Sequence, residues 1–177
     1  MEKGKGLIRA ANRSGAASKK RVPSERRAGR LTEPAACERC GAIYSRRVWR
    51  RPRVVTAGLL GRVVWTQCPA CRQARGGEYW GRVIVRGAFA LANEAAIRKR
   101  IENIAARAES TQPERRLVSV EREGGALDVL TTSQKLAHRI VHELKKTFRG
   151  RARYAWSDDG SLYAVWERDA SKRGEGQ

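Results

Sequence analysis

Hydrophobic positions in the second half of the chain recur at two spacings, which predict helices and strands in turn. A spacing of three to four residues predicts one amphipathic helix over about 93–109, with Asn93 as its N-cap. The same spacing predicts a second helix that begins after Thr131-Thr132-Ser133 and ends before Gly150. Apolar residues that alternate with polar ones, or form short apolar runs, predict strands at 79–87, 116–121, 126–130, 151–156 and 161–167.

The order of these elements predicts an α+β fold. A strand, a helix, two strands, a helix and a strand, with one strand appended, match a ferredoxin-like (split βαβ) sandwich. In that fold two helices cover one face of an antiparallel sheet. Turn signals at Glu123-Gly124-Gly125 and Asp158-Asp159-Gly160 mark the two expected hairpins.

The chain's four cysteines form two CxxC pairs, which are Cys37/Cys40 and Cys68/Cys71. Four thiolates can close a tetrahedron around one Zn²⁺, and Gly41 supplies the backbone freedom of a tight turn beside Cys40. Residues 42–49 and 61–67 are rich in β-branched and aromatic residues. These features predict an N-terminal four-cysteine zinc ribbon with one structural Zn²⁺, whose four thiolates leave no coordination position for catalysis.

Disulfides or a dithiol redox site are the alternatives to zinc. The start of the chain lacks the apolar region of a signal peptide, which favours reduced cysteines and a cytoplasmic protein. No apolar run approaches the roughly 20 residues that span a bilayer, so we expect a soluble protein without a membrane partner.

These patterns divide the chain into four predicted segments. Residues 1–30 form a disordered basic arm, because they contain almost no large apolar residues. Residues 31–78 form the zinc ribbon and residues 79–169 the ferredoxin-like domain. Residues 170–177 form a disordered tail.

Positive charge changes the functional picture. The formal net charge is +20, and residues 37–78 alone carry nine basic and two acidic side chains. A density of this kind predicts a polyanionic partner, most simply nucleic acid, although a merely solvated surface is the alternative. The candidate contacts in the ribbon are Arg46, Arg47, Trp49, Arg50, Arg51, Arg53, Arg62 and Arg72. Those in the arm are Lys19, Lys20, Arg21, Arg26 and Arg27, which also fit a localisation signal.

The stretch 46–53 places five arginines around one tryptophan. Arginine pairs with phosphate and stacks on bases, and an exposed indole offers a platform for an unpaired base. The alternative is that Trp49 and Trp65 fill the core of the ribbon.

We find no catalytic constellation in the sequence and predict a protein that is not an enzyme and has no small-molecule substrate. His138 and His142 lie one helical turn apart, but no Glu follows the first as a metalloprotease helix requires. We expect both to contact solvent or phosphate. Asp158-Asp159 is a turn rather than a pair of catalytic carboxylates.

Four stretches carry a resemblance to a known family: Glu33–Tyr44, Cys68–Arg72, Gly81–Val83 with Gly87 and Phe89, and Leu130–Ile140. Together they resemble short bacterial proteins grouped with the nonsense-mediated-decay type ribosome-export adaptors. Larger archaeal and eukaryotic members bind the large ribosomal subunit through a zinc-bearing N-terminal region.

The resemblance implies ribosomal RNA or a ribosomal subunit, the large one favoured, as the partner. It also implies a role linked to assembly, hibernation or decay. The chain has only two CxxC pairs and none of the family's later domains, so an export role does not carry over. A DNA-binding or transcription-associated zinc ribbon is the alternative.

Overall fold

The structure is a computed structural model that describes residues 31–52 and 54–169. The described part contains two mixed sheets and five helices, which confirms the α+β class. The predictions for the basic arm, the tail and Arg53 fall outside the described residues. Those arm residues are Lys19, Lys20, Arg21, Arg26 and Arg27.

The first sheet has four strands of three residues each. They are β1 (Ala35–Cys37), β2 (Ile43–Ser45), β3 (Val48–Arg50) and β4 (Val64–Thr66). The order across the sheet is β3-β2-β1-β4, with β1 and β4 parallel and the other pairs antiparallel. Two short helices, α1 (Ala57–Leu60) and α2 (Pro69–Arg75), lie before and after β4 in the chain. We call residues 31–78 the cysteine module.

The second sheet has five strands and carries three helices. The elements in chain order are β5 (Gly81–Arg86), α3 (Ala88–Ala92), α4 (Glu94–Thr111), β6 (Leu117–Glu123), β7 (Ala126–Thr131), α5 (Gln134–Phe148), β8 (Arg151–Trp156) and β9 (Leu162–Glu167). Side chains of α4 and α5 share one core with alternate residues of the strands, among them Ile101, Ile140, Val83 and Trp166. Both long helices therefore cover the same face of the sheet.

The predicted antiparallel sheet with its last strand appended is wrong. The order is β6-β7-β5-β9-β8, so β9 lies inside the sheet and runs parallel to β5, while β8 is displaced to the edge. Burial explains the choice between the two hairpin strands. Trp166 of β9 is buried in the helical core and Val165 packs with Ile84 on the other face. β8 exposes Tyr154 and Trp156, so it is the strand suited to an edge.

Asn93 occupies the N-cap position of α4, as predicted. The residue precedes α4, but its side chain makes no capping bond to that helix. Its side-chain amide instead donates to the carbonyl oxygen of Phe89, in the first turn of α3, at 2.9 Å. The sequence pattern did not predict α3, so it did not show that Asn93 ends one helix as well as opening the next.

Candidate metal centre and basic surfaces

The four cysteines come from three places in the cysteine module. Cys37 ends β1 and Cys40 lies in the turn that follows. Cys68 directly precedes α2, and Cys71 lies in its first turn. Three of the thiols are buried and Cys40 is partly buried.

The sulfur atoms converge as metal ligands do. All four lie within 4.8 Å of one another, and the Cys37–Cys71 and Cys40–Cys68 sulfur pairs are each 3.8 Å apart. A regular tetrahedron with Zn–S bonds of about 2.3 Å has edges of about 3.8 Å. The cluster can therefore bind one metal ion. Within the described ranges, it is the one group of three or more His, Cys, Asp or Glu side chains that could hold a metal ion.

Each CxxC pair is shaped by a different backbone element. In the first pair Gly41 has φ +70°, and its N–H donates to the carbonyl of Cys37 at 2.8 Å. This is the predicted tight turn. In the second pair Cys68 is the N-cap of α2, and the N–H of Cys71 donates to the Cys68 sulfur at 3.4 Å. The second pair thus opens a helix, for which Pro69 at the first helical position was the available signal.

The protonation of the thiols shows why the cluster suits a cation. Burial raises the pKa of Cys37, but backbone N–H donors at Cys68, Cys40 and Arg39 together outweigh it and bring the pKa to about 6. Burial raises the pKa of Cys68 to about 11, and that of Cys71 is raised for the same reason. Burial therefore opposes the thiolate forms of Cys68 and Cys71, and a bound cation would favour them.

The predicted arginines lie on more than one side of the cysteine module. Arg46 and Arg47 form the two-residue turn between β2 and β3, and Arg50 ends β3, which is an edge strand. Arg62 precedes β4 at the other edge of the sheet. Arg72 lies on α2. Arg46, Arg47, Arg50, Arg51, Arg62 and Arg72 are all exposed.

The two tryptophans of the module differ in their surroundings. Trp49 is half-buried, packs against the cysteine cluster and has its ring 5.3 Å from that of Tyr44. Trp65 on β4 is 56% exposed, so it is the open indole of the module. The core role considered for both therefore fits Trp49 and not Trp65.

Polar contacts join the module to the second sheet and its helices. Arg51 forms an ion pair with Glu109 of α4 at 2.6 Å. The side-chain amide of Gln73 donates to the carbonyl oxygen of Thr132 at 3.3 Å.

A second group of exposed side chains lies on α5 and β8. The sequence pattern was not interpreted as a surface there, apart from the two histidines. His138 and His142 are exposed on α5, as expected, and the ring of His138 stacks on Tyr154 at 5.1 Å between centroids. Trp156 on the same strand is 61% exposed. The alternation of Arg151 and Arg153 with these aromatic residues was a signal that could have revealed the group.

No helix in the described part of the chain is long and apolar enough to cross a membrane. Compared with known proteins, the chain matches no family model, and neither a curated protein nor a solved structure shows significant similarity to it.

Proposed function

We propose that the cysteine module is a zinc ribbon that binds ribosomal RNA, free or within a ribosomal subunit, in a non-catalytic role linked to ribosome assembly, hibernation or decay. The exposed arginine side chains on the surface of the cysteine module carry this proposal. The five-stranded part would then be a ferredoxin-like sandwich in which β9 has been inserted beside β5.

Zinc is the metal that the ligand set favours. Four thiolates in a tetrahedral arrangement suit Zn²⁺ or an iron–sulfur centre, and the observed sulfur separations match a single Zn²⁺. Cys37, Cys40, Cys68 and Cys71 would be its ligands. With all four positions taken by protein, the ion would stabilise the module and leave the surface to do the binding.

The exposed arginines of the module keep their capacity for phosphate. Residues 37–78 carry nine basic and two acidic side chains. Among the described residues of this segment Arg51 is the one arginine in an ion pair. Free guanidinium groups bind phosphate bidentately and stack on bases, which favours RNA with exposed loops over a uniform duplex.

Sedimentation tests the partner. Lysate of the native host is run through sucrose gradients at low and high salt, and the fractions are probed for this protein. We expect it to migrate with ribosomal particles at low salt and to be released at high salt, because phosphate contacts weaken with ionic strength. Absence from every particle fraction at low salt would contradict the proposal.

Charge reversal tests the surface. The variant Arg47→Glu with Arg50→Glu is compared with Lys99→Glu with Arg107→Glu, which changes the exposed face of α4 by the same charge. We expect the first to weaken binding to a ribosomal RNA fragment and to lower the salt slope by roughly 0.7 to 0.9 per lost contact. The second should change little. Tighter binding to duplex DNA of equal length would favour the transcription-associated alternative.

A further inference from the structure

The second sheet carries its surplus positive charge in one place. Residues 79–177 contain 19 basic and 13 acidic side chains. Residues 135–153 contribute seven of the basic side chains and one of the acidic ones. The rest of that segment therefore has 12 of each sign. Residues 135–153 include most of α5 and the start of β8, which lie next to each other. We call residues 134–156 the α5–β8 edge.

The cations of the α5–β8 edge differ from those elsewhere around the second sheet. In the part of the chain that the structure describes, none of them forms an ion pair, whereas six arginines elsewhere around this sheet do. The unpaired set is Lys135, Arg139, Lys145, Lys146, Arg149, Arg151 and Arg153. The paired set is Arg82, Arg86, Arg98, Arg100, Arg116 and Arg122. The single acid of the edge, Glu143, is held by Arg100 at 2.7 Å.

Aromatic rings lie open beside these cations. Trp156 is 61% and Tyr154 is 40% exposed. The ring of His138 stacks on Tyr154 with an interplanar angle of 26°. This contact shows that the His138 side of α5 faces β8. His142 and Lys145 lie four and seven residues further along the same side.

The edge position of β8 lets one ligand reach both kinds of side chain. β8 pairs only with β9, so its other edge is free within the described sheet. Tyr154 and Trp156 alternate with Arg153 along the strand, so rings and guanidinium groups lie on opposite faces of the same edge. A ligand that follows this edge can stack on the rings and meet cations on either side.

We propose that the α5–β8 edge is a second RNA-binding surface, which takes an unpaired strand. Its bases stack on Trp156 and Tyr154, and its phosphates lie against Lys145, Arg149 and Arg153. Open aromatic faces between cations fit unpaired nucleotides, because a duplex keeps its bases stacked on one another. The surface deepens the proposed function and rests on it for the choice of RNA as the polymer. It assigns base stacking to Trp156 rather than to the half-buried Trp49.

Binding of a short oligonucleotide tests this surface separately from the ribbon. The probe is an unstructured RNA of about ten nucleotides, with an RNA duplex of the same length as the comparison. We expect the full chain to bind the single strand, with its tryptophan fluorescence quenched by stacking. Trp156→Ala should weaken this binding by on the order of ten- to a hundredfold and remove most of the quenching, while duplex binding changes little.

Two controls make the result decisive. Trp65→Ala removes the other well-exposed indole and should leave binding of the single strand unchanged. Arg151→Glu with Arg153→Glu keeps the rings, and it should lower the salt slope by about 0.7 per lost phosphate contact. Failure of the wild-type chain to bind the single strand, or equal effects of Trp156→Ala and Trp65→Ala, would overturn the proposal.

The Trp156 experiments do not decide whether the ribbon binds ribosomal RNA, which the charge-reversal and sedimentation experiments test separately. Loss of ribosomal RNA binding in the Arg47→Glu, Arg50→Glu variant would stand whether or not Trp156 stacks on RNA. Conversely, single-strand binding through Trp156 without sedimentation on ribosomal particles would support this surface and contradict the ribosomal role.

Discussion

Arg46 and Arg47 occupy a backbone conformation that is unfavourable for their residue type. Their φ values are +50° and +62°, and they form the two-residue turn of the β2–β3 hairpin, where Asn-Gly is the usual choice. The left-handed region costs such residues roughly 1–2 kcal/mol each. Both N–H groups donate to the carboxylate of Glu33, at 2.8 and 3.0 Å, which offsets part of this cost. The strained backbone of this turn therefore coincides with two exposed guanidinium groups.

Replacement of this turn should separate stability from binding. We expect Arg46→Asn with Arg47→Gly to stabilise the metal-loaded module by about 1 kcal/mol, because both new residues accept the turn conformation. Affinity for ribosomal RNA should fall at the same time, since the proposed function places phosphate against both arginines. Denaturant unfolding and RNA binding of the same preparation measure both. A fall in stability would mean that the arginine side chains themselves hold the turn.

The buried ion pair between Arg82 and Asp128 gives a second prediction at this scale. The guanidinium Nη2 lies 2.9 Å from a carboxylate oxygen, and the Arg82 side chain is only 4% exposed. Burial would lower the pKa of Arg82, but the carboxylate outweighs it and the pKa is raised. Arg82→Met should therefore destabilise the fold by about 3–5 kcal/mol, because Asp128 is left buried and unpaired.

Two variants check that interpretation in urea unfolding. Arg82→Met combined with Asp128→Leu should recover most of the loss, since no buried charge remains. Arg86→Met breaks the more exposed pair with Glu167 and should cost less than about 1 kcal/mol. Equal losses for Arg82→Met and Arg86→Met would show that burial does not set the value of these pairs.

At the scale of the elements, strong local periodicity was the reliable guide. The second helix was expected between Ser133 and Gly150, and α5 spans Gln134–Phe148. Its buried residues recur at the predicted spacing, and a glycine follows its end. The β6–β7 hairpin was likewise predicted, because two glycines at the turn separate two apolar runs. In each case the signal lies within a few residues of the element.

Elements without such a local signal were missed. β1 is three residues long and consists of two alanines and Cys37, so neither alternation nor β-branched residues marked it. The parallel pairing of β5 with β9 depends on which hairpin strand is buried on both faces, and that is a property of the assembled core. The convergence of the four cysteines was predictable, because the CxxC spacing is itself a local signal.

Close contact between α5 and β5 at Gly81 provides a prediction for this scale. A Cβ atom at Gly81 would lie 2.5 Å from the Cβ of Ala137 and 2.6 Å from the hydroxyl of Thr131. We therefore expect Gly81→Ala to push α5 from the sheet and to cost about 1–3 kcal/mol in urea unfolding. Gly58→Ala in α1 is the matched control, because nothing lies within 4 Å of its added methyl group. Equal stabilities of the two variants would contradict this packing.

For the whole molecule, the two sheets have separate cores. The core of the five-stranded part contains no residue before Val83, and the core of the cysteine module is little more than the four cysteines, Ala42 and Ala70. A module of that size buries too little apolar surface to fold alone, so binding of the proposed metal ion would supply its folding energy. The five-stranded part has no such dependence.

Metal removal should therefore unfold the cysteine module and leave the five-stranded part folded. Treatment with a strong chelator, or the substitution Cys68→Ser, should release one zinc ion per chain and leave the module open to protease. A fragment that begins near Glu78 should survive, because its helices and core are complete without the module. Arg51–Glu109 is a partly exposed ion pair and Gln73–Thr132 is a single part-buried hydrogen bond, and loss of each should cost the fragment only about 1 kcal/mol.

Elemental analysis measures the loss of zinc, and limited proteolysis with mass spectrometry detects the opening of the module. Helical circular dichroism reports whether the five-stranded part stays folded. Substitution of the exposed Ser45 by alanine is a suitable control for Cys68→Ser, because it lies in the module and offers no ligand. If helical signal and module were lost together on chelation, the two cores would be coupled. A folded module with no zinc, or with iron in its place, would contradict the proposed metal.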